Sequence, residues 1–88
     1  MLDAKGESLK LIALSKLHAK EYHEAVRAYK LCFEHAMNIN NQMYETEIYE
    51  KLSICHFYLG DLEKSKYYKK RHLLGINEPA GSQIRTIY

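Results

Sequence analysis

The most constraining feature of this sequence is a match between its own two halves at an offset of 40 residues, which aligns residues 9–33 with residues 49–73. The aligned residues agree in size and polarity: Ile12 with Leu52, Ala13 with Ser53, Leu14 with Ile54, Leu17 with Phe57, Ala25 with Ser65 and Phe33 with Leu73. A fixed period of this length indicates a helical-repeat architecture, whose units stack because none can bury its apolar face alone. We therefore expect a stack that offers a long surface to a partner.

The spacing of apolar residues predicts four helices, over residues 8–18, 21–37, 42–59 and 61–73. The second helix carries its apolar residues in one stripe at the i, i+3, i+4, i+7 spacing of an amphipathic helix. The first and third helices carry apolar residues on more than one side, which predicts packing on more than one side. This alternation is what stacked helical hairpins require.

The predicted fold is all-α, with two stacked antiparallel helical hairpins followed by an irregular tail. Its segments are a lead-in at residues 1–7, a first repeat at 8–41, a second repeat at 42–74 and a tail at 75–88. Gly60 and Asp61 mark the turn of the second hairpin, because Gly ends a helix in left-handed backbone and Asp caps the next helix. Gly75, Pro79 and Gly81 predict that regular structure stops after residue 74.

Composition is typical of a folded soluble protein. Apolar residues make up 47% and charged residues 27% of the chain, and the net charge of +2 is too small to indicate nucleic acid or an acidic membrane as the main partner. No apolar run approaches the ~20 residues that cross a bilayer, and no secretory stretch opens the chain. We expect a cytoplasmic protein without membrane insertion, in which Cys32 and Cys55 are reduced core thiols.

No constellation of residues predicts catalysis, a metal site or a cofactor. The five His and two Cys residues lack the paired spacing of zinc ligands, although Cys32 and His35 share a helix face and Cys55 adjoins His56. Both thiols lie on apolar stripes, whereas a reactive thiol needs an electropositive, partly exposed setting. A phosphate-binding loop, a nucleophile elbow and a metalloprotease motif are missing. We expect no cofactor and no small-molecule substrate.

The turn and helix motifs resemble the tetratricopeptide repeat family. The run YLGDLEKS at residues 58–65 is very similar to the family's turn between helices. The first-helix pattern W-x2-L-G-x2-Y is similar to the arrangement of Tyr49, Leu52, Ser53 and His56, with Tyr in place of Trp and His in place of Tyr. In this family, small residues stand where the helices of a hairpin approach closely, and the matching positions hold Ala13, Ala25, Ser53 and Ser65. The period exceeds the usual ~34 residues and is similar to the long repeats of kinesin light chains and of spindle and ciliary adaptors.

The resemblance implies that the first helix of each repeat lines a concave groove. The residues placed there are Lys10, Leu11, Leu14 and His18 from the first repeat, and Glu47, Glu50, Lys51, Ile54, Phe57 and Tyr58 from the second. Whether the apolar members bind a partner or pack between repeats stays open at this stage. Leu14 and Ile54 stand where chaperone-binding members of the family carry Asn, which argues against a chaperone adaptor.

The predicted last helix carries its inward residues at Leu62, Ser65, Tyr68, His72 and Leu73. Its other side adds a basic surface formed by Lys66, Lys69, Lys70 and Arg71. It can be a solvated terminal face whose cations complement the helix dipole, or a binding patch for an acidic partner. The near-neutral chain favours the solvated face, and an acidic protein would fit this patch better than nucleic acid does.

These observations together predict a non-catalytic protein–protein interaction module, which serves as a scaffold or assembly subunit of a larger complex. The long repeat and the basic last helix make a cytoskeletal or ciliary complex the first candidate, with a protein as the partner. The alternatives are a nucleic-acid-associated helical protein that uses the basic last helix, and a small enzyme.

The number of repeats predicts dependence on a neighbour, because repeat stacks usually need three or more units. We expect Leu11, Leu14 and Val26 to form a face that no upstream repeat covers. We also expect the tail to dock in extended form through Ile84, Ile87 or Tyr88. The chain would then pair with a neighbouring chain or form one segment of a longer repeat protein, and it would not be a stable isolated monomer.

Overall fold

A computed structural model describes residues 2–77, which form four α-helices and no strand. The helices are α1 (Ala4–His18), α2 (Tyr22–Asn38), α3 (Gln42–Tyr58) and α4 (Leu62–Asn77). Helix α1 packs against α2 and α3 against α4, and contacts between α2 and α3 join the two hairpins. The predicted all-α fold of stacked helical hairpins is thus confirmed. None of the helices in this part of the chain is long and apolar enough to cross a membrane.

Two helices are longer than the sequence pattern predicts. Helix α1 begins at Ala4 because the Asp3 carboxylate accepts a hydrogen bond from the Gly6 amide at 2.8 Å and so caps the first turn. Helix α4 continues to Asn77, so the predicted break after residue 74 is wrong. Gly75 lies inside α4, where it faces Thr46 of α3. The position suits glycine because any side chain there would collide with Thr46. The predicted docking of the tail through residues 84–88 lies outside the described residues.

The three loops between the helices share one geometry and recur every 20 residues. Each contains a residue in left-handed backbone, Lys20 (φ 62°), Asn40 (φ 54°) or Gly60 (φ 82°). In each loop the amide of the residue after the left-handed one donates a hydrogen bond to the carbonyl of the residue five positions earlier, at 2.9–3.0 Å. Asp61 then caps α4 by accepting a hydrogen bond from the Lys64 amide at 3.1 Å, so the predicted Gly60–Asp61 turn is confirmed.

The shared loop geometry predicts opposite effects for two substitutions. Gly60→Ala should lower the free energy of unfolding by about 1 kcal/mol, because a Cβ is disfavoured in left-handed backbone. Lys20→Gly should raise it by up to about 1 kcal/mol, since the same strain is removed, partly offset by a more flexible unfolded chain. Urea denaturation of both variants measures the two changes. A loss of stability in Lys20→Gly would contradict the assigned loop conformation.

An aromatic core joins the hairpins. Phe33 of α2 contacts Tyr49 of α3 with ring centroids 5.1 Å apart, and Tyr49 contacts Tyr68 of α4 at 6.0 Å. All three rings are at most 1% exposed. Helix α3 is therefore packed on two sides, as its apolar pattern predicts. Cys32 and Cys55 are buried and are not joined in a disulfide, which confirms the prediction of free core thiols.

Two predicted orientations are wrong at the ends of the stack. Val26 and Leu14 do not form an uncovered upstream face: Val26 is buried, and Leu14 lines a small gap with Tyr44 and Ile48 of α3. Leu14 therefore lies on the side that α3 covers, whereas Leu11 remains exposed.

The second error concerns the orientation of α4. Ser65 and Tyr68 are buried as predicted, but Leu62 and Leu73, which were also expected to point inward, are 54% and 48% exposed. No described helix covers this outer side of α4, so its apolar residues remain accessible.

Candidate protein-binding site

The strip between α1 and α3 is already closed and carries charged residues along its edge. Lys10 of α1 forms an ion pair with Glu47 of α3 at 3.8 Å, and its ammonium lies 5.9 Å from the centre of the Tyr44 ring. The gap beside them, which Leu14 and Lys51 also line, has a volume of about 10 Å³. Packing between the repeats therefore fills this strip, and it offers a partner charged side chains rather than a cavity.

A much larger depression lies between α3 and α4. It has a volume of about 760 Å³. Its lining consists of Ser53, Ile54, Phe57, Tyr58, Ser65, Lys66, Lys69, Lys70, Leu73 and Leu74. We call it the α3/α4 groove. Its floor is mostly apolar and lysines stand along α4, so it combines the two features that a partner segment with apolar and acidic residues requires.

Two serines hold the floor of the α3/α4 groove together. The Ser53 hydroxyl donates to the Ser65 carbonyl at 2.8 Å, and the Ser65 hydroxyl donates to the Ser53 carbonyl at 2.9 Å. Both are buried, and the small side chains let the helices approach closely at this point. The prediction that small residues stand at the close approach is confirmed here. In the first hairpin, the corresponding Ala13 and Ala25 are fully buried. The groove is therefore built on a fixed frame.

Aromatic contacts order the rim of the groove. Tyr58 stacks on Tyr22 of α2 with ring centroids 5.1 Å apart and an interplanar angle of 10°. Phe57 contacts the edge of Tyr58 at 5.4 Å. Both side chains are nevertheless more than half exposed. Because their positions are restricted before a partner arrives, binding would cost less side-chain entropy than it does for free aromatic residues.

The structure divides the predicted site residues into three groups. The α3/α4 groove brings together Ile54, Phe57, Tyr58, Lys66, Lys69 and Lys70. The strip between α1 and α3 brings together Lys10, Leu14, Glu47 and Lys51. The remaining residues, Leu11, His18, Glu50 and Arg71, line neither depression.

Arg71 differs from the lysines with which the sequence grouped it. Its guanidinium lies 5.7 Å from the centre of the buried Tyr49 ring, so it stabilises the core rather than the basic surface. Glu50 lies 3.8 Å from both Lys51 and His72.

Sequence reasoning missed Leu73 and Leu74 as groove residues. The repeat carried a signal for Leu73, because its partner at the 40-residue offset is Phe33, which is buried in the core. A position that is buried in the first repeat becomes accessible in the second, where no further helix of residues 2–77 covers it.

The buried thiols are poor nucleophiles. Burial raises the pKa of Cys55 to about 11 and also raises the pKa of Cys32, so both stay protonated at neutral pH. Within residues 2–77, no three His, Cys, Asp or Glu side chains are grouped so that they could hold a metal ion.

His56 should make stability depend on pH. It stacks on Tyr68 at 5.5 Å and is 7% exposed, and burial lowers its pKa, an effect that the nearby Asp61 partly offsets. The unfolded chain therefore binds this proton more readily, so stability is full above about pH 6.5 and falls below it. His56→Phe keeps a stacked ring without the titrating group. Thermal melts at several pH values should show a smaller loss on acidification in this variant, and an unchanged loss would contradict the assignment.

Neither a scan of protein-family models nor comparisons with curated proteins and solved structures gives a match for this chain. The candidate site therefore depends on the geometry of residues 2–77. That geometry consists of two stacked helical hairpins with an apolar, lysine-edged groove at one end.

Proposed function

We propose that this chain is a non-catalytic protein–protein interaction module, a tetratricopeptide-like stack that serves as a scaffold or assembly subunit of a larger complex. The observation that carries the proposal is the α3/α4 groove, an accessible apolar surface on a frame fixed by the Ser53–Ser65 hydrogen bonds. Contiguous exposed apolar surface of this kind typically marks an interaction site.

The exposed aromatic residues favour a protein as the partner. Phe57 is 56% and Tyr58 is 61% exposed, and they flank apolar residues of both helices. Aromatic residues on a rigid support often contribute most of the binding energy of an interface when a partner buries them. The strip of Lys10, Glu47 and Lys51 would add polar contacts at the edge of such an interface.

The kind of assembly is a further part of the proposal. The lysines of α4 suit an acidic protein, and the long repeat resembles that of cytoskeletal and ciliary adaptors. We therefore propose a cytoplasmic cytoskeletal or ciliary complex as the first place to search for the partner. Co-sedimentation with microtubules before and after removal of the acidic tubulin tails tests this choice.

Photo-crosslinking tests the interaction module itself. A photoreactive phenylalanine analogue at position 57 should form a covalent adduct with a defined protein when the full chain is expressed in cells. Met43 provides a matched control, because it is 83% exposed but does not line the groove. The adduct should form at position 57, be absent at position 43 and survive nuclease treatment. Equal labelling at both positions, or none at position 57, would contradict the proposal.

A second candidate is nucleic-acid binding through Lys66, Lys69 and Lys70, which are exposed on the same face of α4. Retention on RNA would then fall steeply between about 50 and 200 mM salt, with a slope reduced by replacing these lysines with Gln. Retention that depends on Phe57 and only weakly on salt would favour the protein-binding function instead.

A further inference from the structure

The internal repeat shows what the α3/α4 groove is shaped to hold. At the 40-residue offset, its apolar residues correspond to residues of the first hairpin: Ile54 to Leu14, Phe57 to Leu17 and Leu73 to Phe33. In the first hairpin, helix α3 lies against this surface. Leu14 shares a narrow gap with Ile48, and Phe33 contacts the Tyr49 ring. The second hairpin presents the corresponding surface, with Lys66 and Lys69 in the places of the buried Val26 and Tyr29. No other helix of residues 2–77 lies on it.

The two ends of the stack differ in polarity. Helix α3 carries a buried stripe formed by Tyr44, Ile48, Leu52 and Cys55. Within this stripe, Tyr44 and Ile48 lie beside Leu14 of the first hairpin. The corresponding residues of α1 are Ala4, Ser8, Ile12 and Ser15, all exposed. Only Ile12 is a large apolar residue, so this face of α1 is suited to solvent. The α3/α4 end keeps Ile54, Phe57 and Leu73 and is therefore the end suited to a further helix.

The positive charge of the α3/α4 groove restricts which kind of partner segment can bind there. Lys66, Lys69 and Lys70 line the α3/α4 groove and form no ion pair within residues 2–77. They favour an occupant that carries carboxylates beside its apolar stripe. Helix α3 already shows this arrangement on the first hairpin, where its Glu47 pairs with Lys10 at 3.8 Å.

We propose that the α3/α4 groove binds an amphipathic helix of a partner protein, with acidic residues beside its apolar stripe, seated as a fifth helix in the position that α3 holds on the first hairpin. This inference rests on the proposed interaction function and specifies the partner segment. A second copy is a poor occupant. Two grooves face to face would bring like-charged lysines together. Head-to-tail stacking would place Ser8, which corresponds to Ile48, against Ile54, which corresponds to Leu14.

A pair of synthetic peptides tests the proposal. The probe is a helical peptide of 17 residues, the length of α3, with Tyr, Ile, Leu and Ala at the spacing of Tyr44, Ile48, Leu52 and Cys55. Glu occupies the flanking positions of the probe, and Lys replaces each Glu in the control peptide. In fluorescence anisotropy with the full chain, the acidic peptide should bind at least about tenfold more tightly than the basic one.

Variants of the chain locate the binding and test the role of charge. The combined Lys66→Glu, Lys69→Glu and Lys70→Glu variant should prefer the basic peptide. Phe57→Ser should lower the affinity for the acidic peptide by about tenfold or more, whereas Met43→Ser should leave that affinity unchanged. Circular dichroism melts confirm that each variant is folded.

Several results would overturn this inference. Equal affinity for the two peptides, or a preference that survives charge reversal, would exclude an acidic helix. A dimer in sedimentation that Phe57→Ser dissociates would assign the groove to a second copy. Tighter peptide binding after Ile84→Ser with Ile87→Ser would show that residues 78–88 compete for the groove and would assign it to them. If position 57 crosslinks to a protein but the acidic peptide does not bind, the proposed interaction function is supported and the acidic-helix inference is wrong.

Discussion

Replacing Tyr68 with Ala should lower the free energy of unfolding by about 3–5 kcal/mol. The Tyr68 ring is fully buried and lies at the centre of the second hairpin, 5.5 Å from His56, 6.0 Å from Tyr49 and 5.2 Å from Tyr67. Its removal leaves a cavity between α3 and α4, which two helices joined by a short loop cannot easily close. For a domain of this size, the loss is a large part of a total stability of roughly 4–13 kcal/mol.

Phe57→Ala is the matched control for Tyr68→Ala. It also removes an aromatic ring from the second hairpin, but from the groove side, where the ring is 56% exposed. We expect less than about 1 kcal/mol of destabilisation, together with a loss of partner binding. Urea denaturation of both variants gives the comparison. Similar losses of stability would show that Phe57 belongs to the core and would weaken the case for the groove as a free binding surface.

The 40-residue period predicted the fold because burial imposes the same pattern on both hairpins. Ala13 and Ala25 in the first hairpin match Ser53 and Ser65 in the second, and all four are buried. The Gly60 turn was predictable for a local reason, since a left-handed residue favours glycine. Features that repeat, or that depend on one residue's backbone, can be predicted from one sequence.

The helix ends could not be predicted in this way. Asp3 caps α1 and also lies 2.8 Å from His35 of α2, and this second contact joins residues 32 positions apart. Gly75 is typical of a helix break in a sequence, yet its role is to allow close contact with α3. Such contacts depend on how two helices pack, which local spacing does not determine.

Only part of the candidate site could be predicted, because the rest also depends on how two helices pack. Phe57 and Tyr58 were placed on the partner surface through the family resemblance, and Lys69 through charge, but nothing in the sequence joined these two groups. Only the packing of α3 against α4 brings them into one groove. Arg71 shows the converse, because a residue adjacent to Lys70 in the chain points toward the Tyr49 ring instead.

Gly75→Ala should destabilise the chain by about 1–3 kcal/mol, although Ala is the better helix former. A methyl group at this position would collide with the Thr46 hydroxyl and lie 2.9 Å from Thr46 Cγ2. Thr46 cannot easily turn away, because it is buried and its hydroxyl donates to the Gln42 carbonyl at 3.0 Å. His72 is also bound to the Thr46 carbonyl at 2.9 Å, which holds α4 close to α3 at this level. The helices must therefore separate to admit the methyl group.

A double-mutant cycle with Thr46→Ala separates this collision from any effect on the helix alone. Thr46→Ala removes both atoms nearest to the new methyl group, and by itself it should cost less than about 1.5 kcal/mol, since it loses one hydrogen bond within α3. The double variant should then be more stable than Gly75→Ala, with a coupling energy of about 1–2 kcal/mol. If α4 ended at residue 74, as the sequence pattern suggests, Gly75→Ala would be neutral and the cycle would show no coupling. Urea denaturation of the four proteins therefore tests whether α4 extends through Gly75 and packs on Thr46.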